Sequence, residues 1–344
     1  MEKVVKFFST AQAAMEYLGL EYPAEWQAVE SVYPVVLNSY YLDLIDRSNF
    51  RNDPIALQAF PALAELSDTT SSFDPLSEEK QMPVPRLICR FRDRAVLLAT
   101  GNCAMRCRFC FRKREWANGN YLTALSDKEL DDVCCFLKDN PQIREVLVSG
   151  GDPLMLPQPR ILKILRKLSS VESIEILRLA SRIPVVWPQR ITQEFCNELS
   201  SIPGLWLATH FNHPAELTAE AHDACSKFIR AGIPIINQTV LLKNINDNSA
   251  VLEKLFRTLV SWKVKPHYLF HVDPVRGVRH FATGIECGLN ILRDFRSQLS
   301  SLAVPTFAID LPRGGGKVAL QPQYESNGRF PAINNDFWVE YPDR

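Results

Sequence analysis

The chain has 344 residues, 46% of them hydrophobic, and 39 Lys plus Arg are balanced by 39 Asp plus Glu. That is enough apolar material for one large core with an added lobe, and zero formal charge gives no reason to expect a nucleic acid or a membrane surface as partner. The longest apolar runs are strand-sized, far below the roughly 20 residues of a membrane span, and the N-terminus carries no apolar core followed by a small-residue cleavage site.

Residues 1–85 read as a mainly helical extension. Helix-like stretches at 10–18 and 23–30 are interrupted by Pro23, Pro34, Pro54 and Pro61, and the polar run Ser67 to Pro75 reads as a loop or linker. From about residue 90 a rhythm sets in. Apolar, β-branched runs at Ala95–Thr100, Glu145–Ser149, Ile174–Leu179, Leu205–His210, Pro234–Leu242, His267–Val272 and Thr306–Asp310 alternate with amphipathic stretches near 126–138, 158–169, 192–200, 215–231, 248–262 and 284–300. A period of about 30 residues per strand and helix predicts parallel β-α-β units. Six such units predict an α/β fold, a partial (β/α)6-type barrel over residues 86–320, with 321–344 as a short tail. A doubly wound open sheet is the alternative.

In a barrel of this kind the chemistry gathers at the C-terminal ends of the strands. Cys103, Gly150 to Asp152, Ser181 and Arg182, His210 and Asn212, Asp273 and Asp310 all fall there.

The most informative run is Cys103-Ala-Met-Arg-Cys107-Arg-Phe-Cys110. Three thiolates at Cys-x3-Cys-x2-Cys spacing can hold three irons of a four-iron cluster and leave the fourth open to a small molecule. In radical S-adenosylmethionine enzymes that molecule is S-adenosylmethionine. A structural zinc would need a fourth ligand, and no second Cys-x2-Cys or His-x3-His appears. A disulfide framework does not suit a large chain with nine cysteines. The other six, Cys89, Cys134, Cys135, Cys196, Cys225 and Cys287, read mostly as buried small hydrophobes. The expectation is a cytoplasmic protein with reduced thiols.

Near the end stands Asp310-Leu-Pro-Arg-Gly-Gly-Gly-Lys317-Val318. It is not a phosphate loop, because Lys317 is followed by Val rather than Ser or Thr. Three glycines allow close approach to a flat ligand, and a partly desolvated lysine can form a Schiff base with an aldehyde such as pyridoxal phosphate.

From about Arg90 to Gln323 the chain resembles the lysine 2,3-aminomutase family of radical S-adenosylmethionine enzymes. The resemblance is carried by Arg90-Phe-Arg-Asp-Arg94, the cysteine run with Phe111-Arg-Lys-Arg114, Ser149-Gly-Gly-Asp-Pro-Leu154, Ser181 to Arg190, Thr209-His-Phe-Asn-His-Pro214, Asn237-Gln-Thr-Val-Leu-Leu242 and Asp310 to Lys317. It implies a [4Fe-4S] cluster on Cys103, Cys107 and Cys110, S-adenosyl-L-methionine, and pyridoxal 5'-phosphate on Lys317. It further implies Arg90 and Arg94 near the cofactor phosphate, and Arg112 on the substrate carboxylate. Asp273 and Asp310 would take the two amino groups of L-lysine, and Gly150, Gly151 and Asp152 the amino group of S-adenosylmethionine. His210 and Gln238 would belong to the same pocket.

The implied reaction is the isomerisation of L-lysine to β-lysine, with an electron donor such as flavodoxin or ferredoxin. One cation and two anions do complement a diamino acid, and a dicarboxylate such as glutamate would face a like charge. The chain resembles the shorter members, including the branch that makes (R)-β-lysine for elongation factor P. It lacks the cysteine-bearing C-terminal segment by which longer members bind a structural metal and assemble, so no zinc is expected and a homo-oligomer is left open. Another diamino acid as substrate is a further alternative.

Overall fold

The computed structural model describes residues 4–117, 119, 121–333 and 337–342. Seven strands run parallel and pair in chain order: β1 (Arg94–Thr100), β2 (Glu145–Gly150), β3 (Ile176–Ala180), β4 (Leu205–Thr209), β5 (Ile235–Leu241), β6 (Val264–His271) and β7 (Thr306–Leu311). At one edge β8 (Gly316–Leu320) turns back antiparallel to β7, and at the other Leu87–Ile88 lies antiparallel to β1. These two edges do not pair with each other, so the barrel is open along one seam.

Six helices follow the first six strands: α1 (Asp127–Asp139), α2 (Gln158–Ser169), α3 (Gln193–Leu199), α4 (Ala219–Arg230), α5 (Ser249–Ser261) and α6 (Ile285–Gln298). The six expected units are thus present, with a seventh strand after them. Each helix forms for local reasons. In α1, Ser126 and Glu129 make a reciprocal capping box, and Leu130, Val133, Cys134 and Leu137 form the buried stripe. Helix α4 starts at Ala219, later than the sequence suggests, because Thr218 caps it and Pro214–Glu216 forms its own short turn. That turn aims Glu216, fully buried, into the interior.

The N-terminal helices Ala11–Leu18 and Pro54–Ala59 share one hydrophobic core with the barrel strands. Asn38 ties this extension to the loops after β1 and β3, its Nδ2 donating to the carbonyls of Ala104 at 3.1 Å and Val186 at 3.0 Å. Of the six remaining cysteines, Cys134, Cys196 and Cys225 are buried and Cys89 and Cys287 half-buried, while Cys135 is exposed. It follows buried Cys134 by one helical position, about 100° around the helix, and so faces solvent.

Candidate active site

The fourteen residues given cluster, cofactor or substrate roles in the sequence reading all line one cavity of about 830 Å3; Asn212, also placed at a strand end, does not. The cysteines lie on the loop after β1. Gly150 and Gly151, at the end of β2, let that loop pack close. A Cβ on Gly151 would come within 2.5 Å of the Asn102 carbonyl, and Gly150 has φ 117°, open only to glycine. Asp152 is buried and already engaged. Its carboxylate accepts from Ser181 Oγ at 2.7 Å and from the amides of Arg182 at 2.7 Å and Leu154 at 3.0 Å. It therefore splices the loops after β2 and β3 together.

At the opposite wall Lys317 pairs in register with Asp310, and its Nζ donates to Asp310 Oδ2 at 2.6 Å. The same ammonium lies 3.9 Å from the Phe270 ring centre and 5.1 Å from that of Tyr268. Burial lowers the Lys317 pKa despite the pull of Asp310. Arg90 reaches the other Asp310 oxygen at 3.4 Å and also donates to Gln81 Oε1 at 3.1 Å. Asp273 is pushed up to about 7, first by burial and then by the nearby charge of Asp310.

Arg112 is held by a residue the sequence reading missed. Glu78 accepts from its Nε at 3.0 Å and Nη2 at 2.9 Å, while Nη1 donates to Ser149 Oγ at 3.2 Å. Arg94 differs from the other candidate arginines. It stands at the N-terminal end of β1, its guanidinium 3.9 Å from the Phe91 ring centre. Burial and the Arg182 charge push His210 down to about 3, so the imidazole is neutral, with Nε2 3.0 Å from Asn212 Oδ1.

Residues 97–255 match the radical SAM superfamily, and residues 292–327 match the lysine-2,3-aminomutase family. The chain is 40% identical to the L-lysine 2,3-aminomutase of Acetoanaerobium sticklandii, covering 92% of this chain and 76% of that one. It is 42% identical to the L-lysine 2,3-aminomutase of Fusobacterium nucleatum over 84% of this chain and 68% of that one. The chain belongs to the lysine 2,3-aminomutase family of radical SAM enzymes. These are isomerases, and the family implies a four-iron cluster, S-adenosylmethionine and pyridoxal phosphate. A glutamate 2,3-aminomutase of Clostridioides difficile is 39% identical over 84% of this chain and 68% of that one.

The residues fit these family cofactors. Three soft thiols face one end of the cavity. Cys103 and Cys110 are raised above the usual thiol range by burial, Cys103 next by the Asp152 charge and Cys110 next by Cys107. Among the described residues no three such groups close on a single metal ion. At the other end, Lys317 beside the stacked pair Tyr268 and Phe270, 4.9 Å between ring centres and 28° between planes, offers an amine next to a flat apolar wall.

Two further networks escaped the sequence. Arg182 donates through Nη1 to Cys107 Sγ at 2.8 Å and through Nη2 to Glu216 Oε1 at 2.6 Å. Glu65, in the N-terminal extension, binds Arg108 at 2.6 Å and Lys113 at 2.6 Å, and all three side chains are fully buried. These pairs lock the cysteine loop from both sides. The only sequence hint was the number of cations packed around the three cysteines. Among the described residues no helix is long and apolar enough to cross a membrane.

Proposed function

We propose that the chain moves the α-amino group of L-lysine to its β-carbon, giving β-lysine. The observation that carries this reading is the placement of one cation, Arg112, and two carboxylates, Asp273 and Asp310, with a reactive lysine, in the same cavity as the three cysteines. Cys103, Cys107 and Cys110 would hold the cluster, the Gly150–Asp152 turn would adjoin S-adenosylmethionine, and Lys317 would hold pyridoxal phosphate. His210 and Gln238 would complete the wall between them. When bound, these groups supply a carbon radical generator and an aldehyde on which nitrogen can migrate.

The protein's own part is recognition, orientation and exclusion of water. Arg112, fixed by Glu78, presents Nη1 to the substrate carboxylate. Asp273 and Asp310 take the ammonium groups, each ionised when an ammonium stands beside it. In the ligand-free protein the ammonium on Asp310 is that of Lys317. Asp310 would thus stand between the lysine that would hold the cofactor and the ammonium of a bound substrate. Two carboxylates would disfavour a second carboxylate on the substrate, and this supports lysine over the glutamate of the C. difficile relative. The elongation factor P branch requires the same chemistry and differs in where (R)-β-lysine goes.

The test is anaerobic reconstitution with iron, sulfide, pyridoxal phosphate, S-adenosylmethionine and a strong reductant, given L-lysine, L-ornithine or L-glutamate. β-Lysine as the principal product supports the reading. 5'-Deoxyadenosine without β-lysine would overturn the substrate and keep the radical chemistry.

A further inference from the structure

The three cysteines of the loop after β1 meet different electrostatic surroundings. The Cys110 sulfur accepts hydrogen bonds from the Arg112 amide and the Trp116 indole. Cys103 lies near the Asp152 carboxylate, with Arg106 as a nearby cation. Cys107 meets a guanidinium directly, Arg182 Nη1 standing 2.8 Å from its Sγ. Arg182 is buried, and Tyr41, Gln58 and Glu216 around it are fully so. The Arg182 amide donates to Asp152 Oδ2 at 2.7 Å, and its Nε to the His210 carbonyl at 3.1 Å. Nη2 is shared by Glu216 Oε1 at 2.6 Å, Gln58 Oε1 at 2.7 Å and Tyr41 Oη at 3.3 Å.

A neutral donor would pin the loop without the desolvation of a buried ion pair, which adds little stability over an apolar pair of the same shape. A charge at this place has a second consequence. Glu216 lies on the far side of the guanidinium from Cys107 and is itself fixed. Its Oε1 also accepts from Tyr41 Oη at 2.7 Å, and its Oε2 from the amides of Asn212 at 2.6 Å and His213 at 3.1 Å. Binding of iron requires the thiolate form of a cysteine, so Arg182 then stands between two anions, Cys107 and Glu216. Reduction adds one negative charge to the cluster. A cation hydrogen-bonded to a ligating sulfur favours the reduced form, and an anion behind that cation diminishes the effect.

We propose that Arg182 is a positioning residue that sets how readily the cluster held by Cys107 accepts an electron, with Glu216 as the opposing charge. Tyr41 and Gln58, both from the N-terminal extension, fix the guanidinium between the two. The electron comes from an external one-electron reductant, and Arg182 stays protonated throughout. The extension therefore takes part in the redox poise of the barrel as well as in its packing. This inference rests on the reading of Cys107 as a cluster ligand given above.

The test reads the midpoint potential of the cluster. Protein reconstituted anaerobically with iron and sulfide, without S-adenosylmethionine, is titrated with dithionite in the presence of redox dyes, and the reduced cluster is followed by electron paramagnetic resonance. Arg182→Gln should lower the ratio of reduced to oxidised cluster at a given potential about tenfold, a downward shift of about 59 mV for one electron. Glu216→Gln should shift the midpoint upward. Arg182→Lys, which keeps the charge, should lie closer to wild type than Arg182→Gln. The double variant Arg182→Gln with Glu216→Gln, which leaves neither charge unpaired, should fall between the two single variants. A purely structural role would change iron content without moving the potential of the cluster that loads. Unshifted midpoints, or shifts of the same sign in Arg182→Gln and Glu216→Gln, overturn the proposal. Should Arg182→Gln load no cluster, Glu216→Gln decides alone, and a midpoint at or below that of wild type overturns it. Wild-type protein that takes up no iron–sulfur cluster overturns the reading of the cysteines instead.

Discussion

Lys317 and Asp310 face each other across the β7–β8 hairpin, Nζ 2.6 Å from Oδ2, and the other carboxylate oxygen takes Arg90. One carboxylate thus answers two cations, and it stabilises the charged form of an amine whose chemistry requires the neutral form.

Asp310→Asn therefore has two opposite effects. Without its anion Lys317 should lose its proton at lower pH, so the adduct with pyridoxal phosphate should form at lower pH than in wild type. Affinity for lysine should fall about tenfold or more, because a charge-assisted contact is lost. Absorbance titrations across pH, with and without lysine, read both. An unmoved pH profile would mean that Asp310 does not control Lys317.

Asp273 sets a pH dependence of stability in the ligand-free protein. Its folded pKa of about 7 lies above its ordinary value of 3.8. As pH rises the unfolded chain releases this proton first, so folding loses stability from about pH 4 up to about pH 7 and is level beyond. Asp273→Asn should melt higher than wild type at pH 8, and the gap should close by pH 4. Thermal melts at the two pH values decide it. The same variant should bind lysine poorly at all pH values.

Glu65→Gln should strip the counter-ion from two fully buried cations, Arg108 and Lys113. Breaking a buried pair in this way costs about 3–5 kcal/mol. Because both cations flank the cysteine loop, iron incorporation should fall with stability. Replacing Lys113 by Met in the same chain should restore part of the loss. Urea denaturation and iron analysis provide the measurement, and a Glu65→Gln protein that unfolds and loads iron like wild type would refute the role.

Gly151→Ala places a methyl group against the Asn102 and Gly101 backbone, which has no flexible end to yield. It should pry β2 from the cysteine loop and lower iron content. Gly284→Ala, where nothing lies within 4 Å, is the matched control and should load iron normally. Equal iron content in the two variants would show that the close approach is dispensable.

The elements and the motif loops were determined by the sequence itself, because their signals are local. The strands begin and end within about two residues of the β-branched runs, except that β6 starts three residues early at Val264, and the cysteine spacing and the glycine run before Lys317 sit on contiguous stretches. Where the reading slipped, a local signal had a competitor. Helix α4 begins late because Glu216 is drawn inward by Arg182. Tertiary structure alone decided who answers each buried charge. Glu65 with Arg108 and Lys113, Glu78 with Arg112, and Arg182 with Glu216 are 34 to 48 residues apart. No periodicity relates such partners. They are chosen by the cost of leaving a charge unpaired in a low-dielectric interior, which exists only after the strands have closed around the cavity.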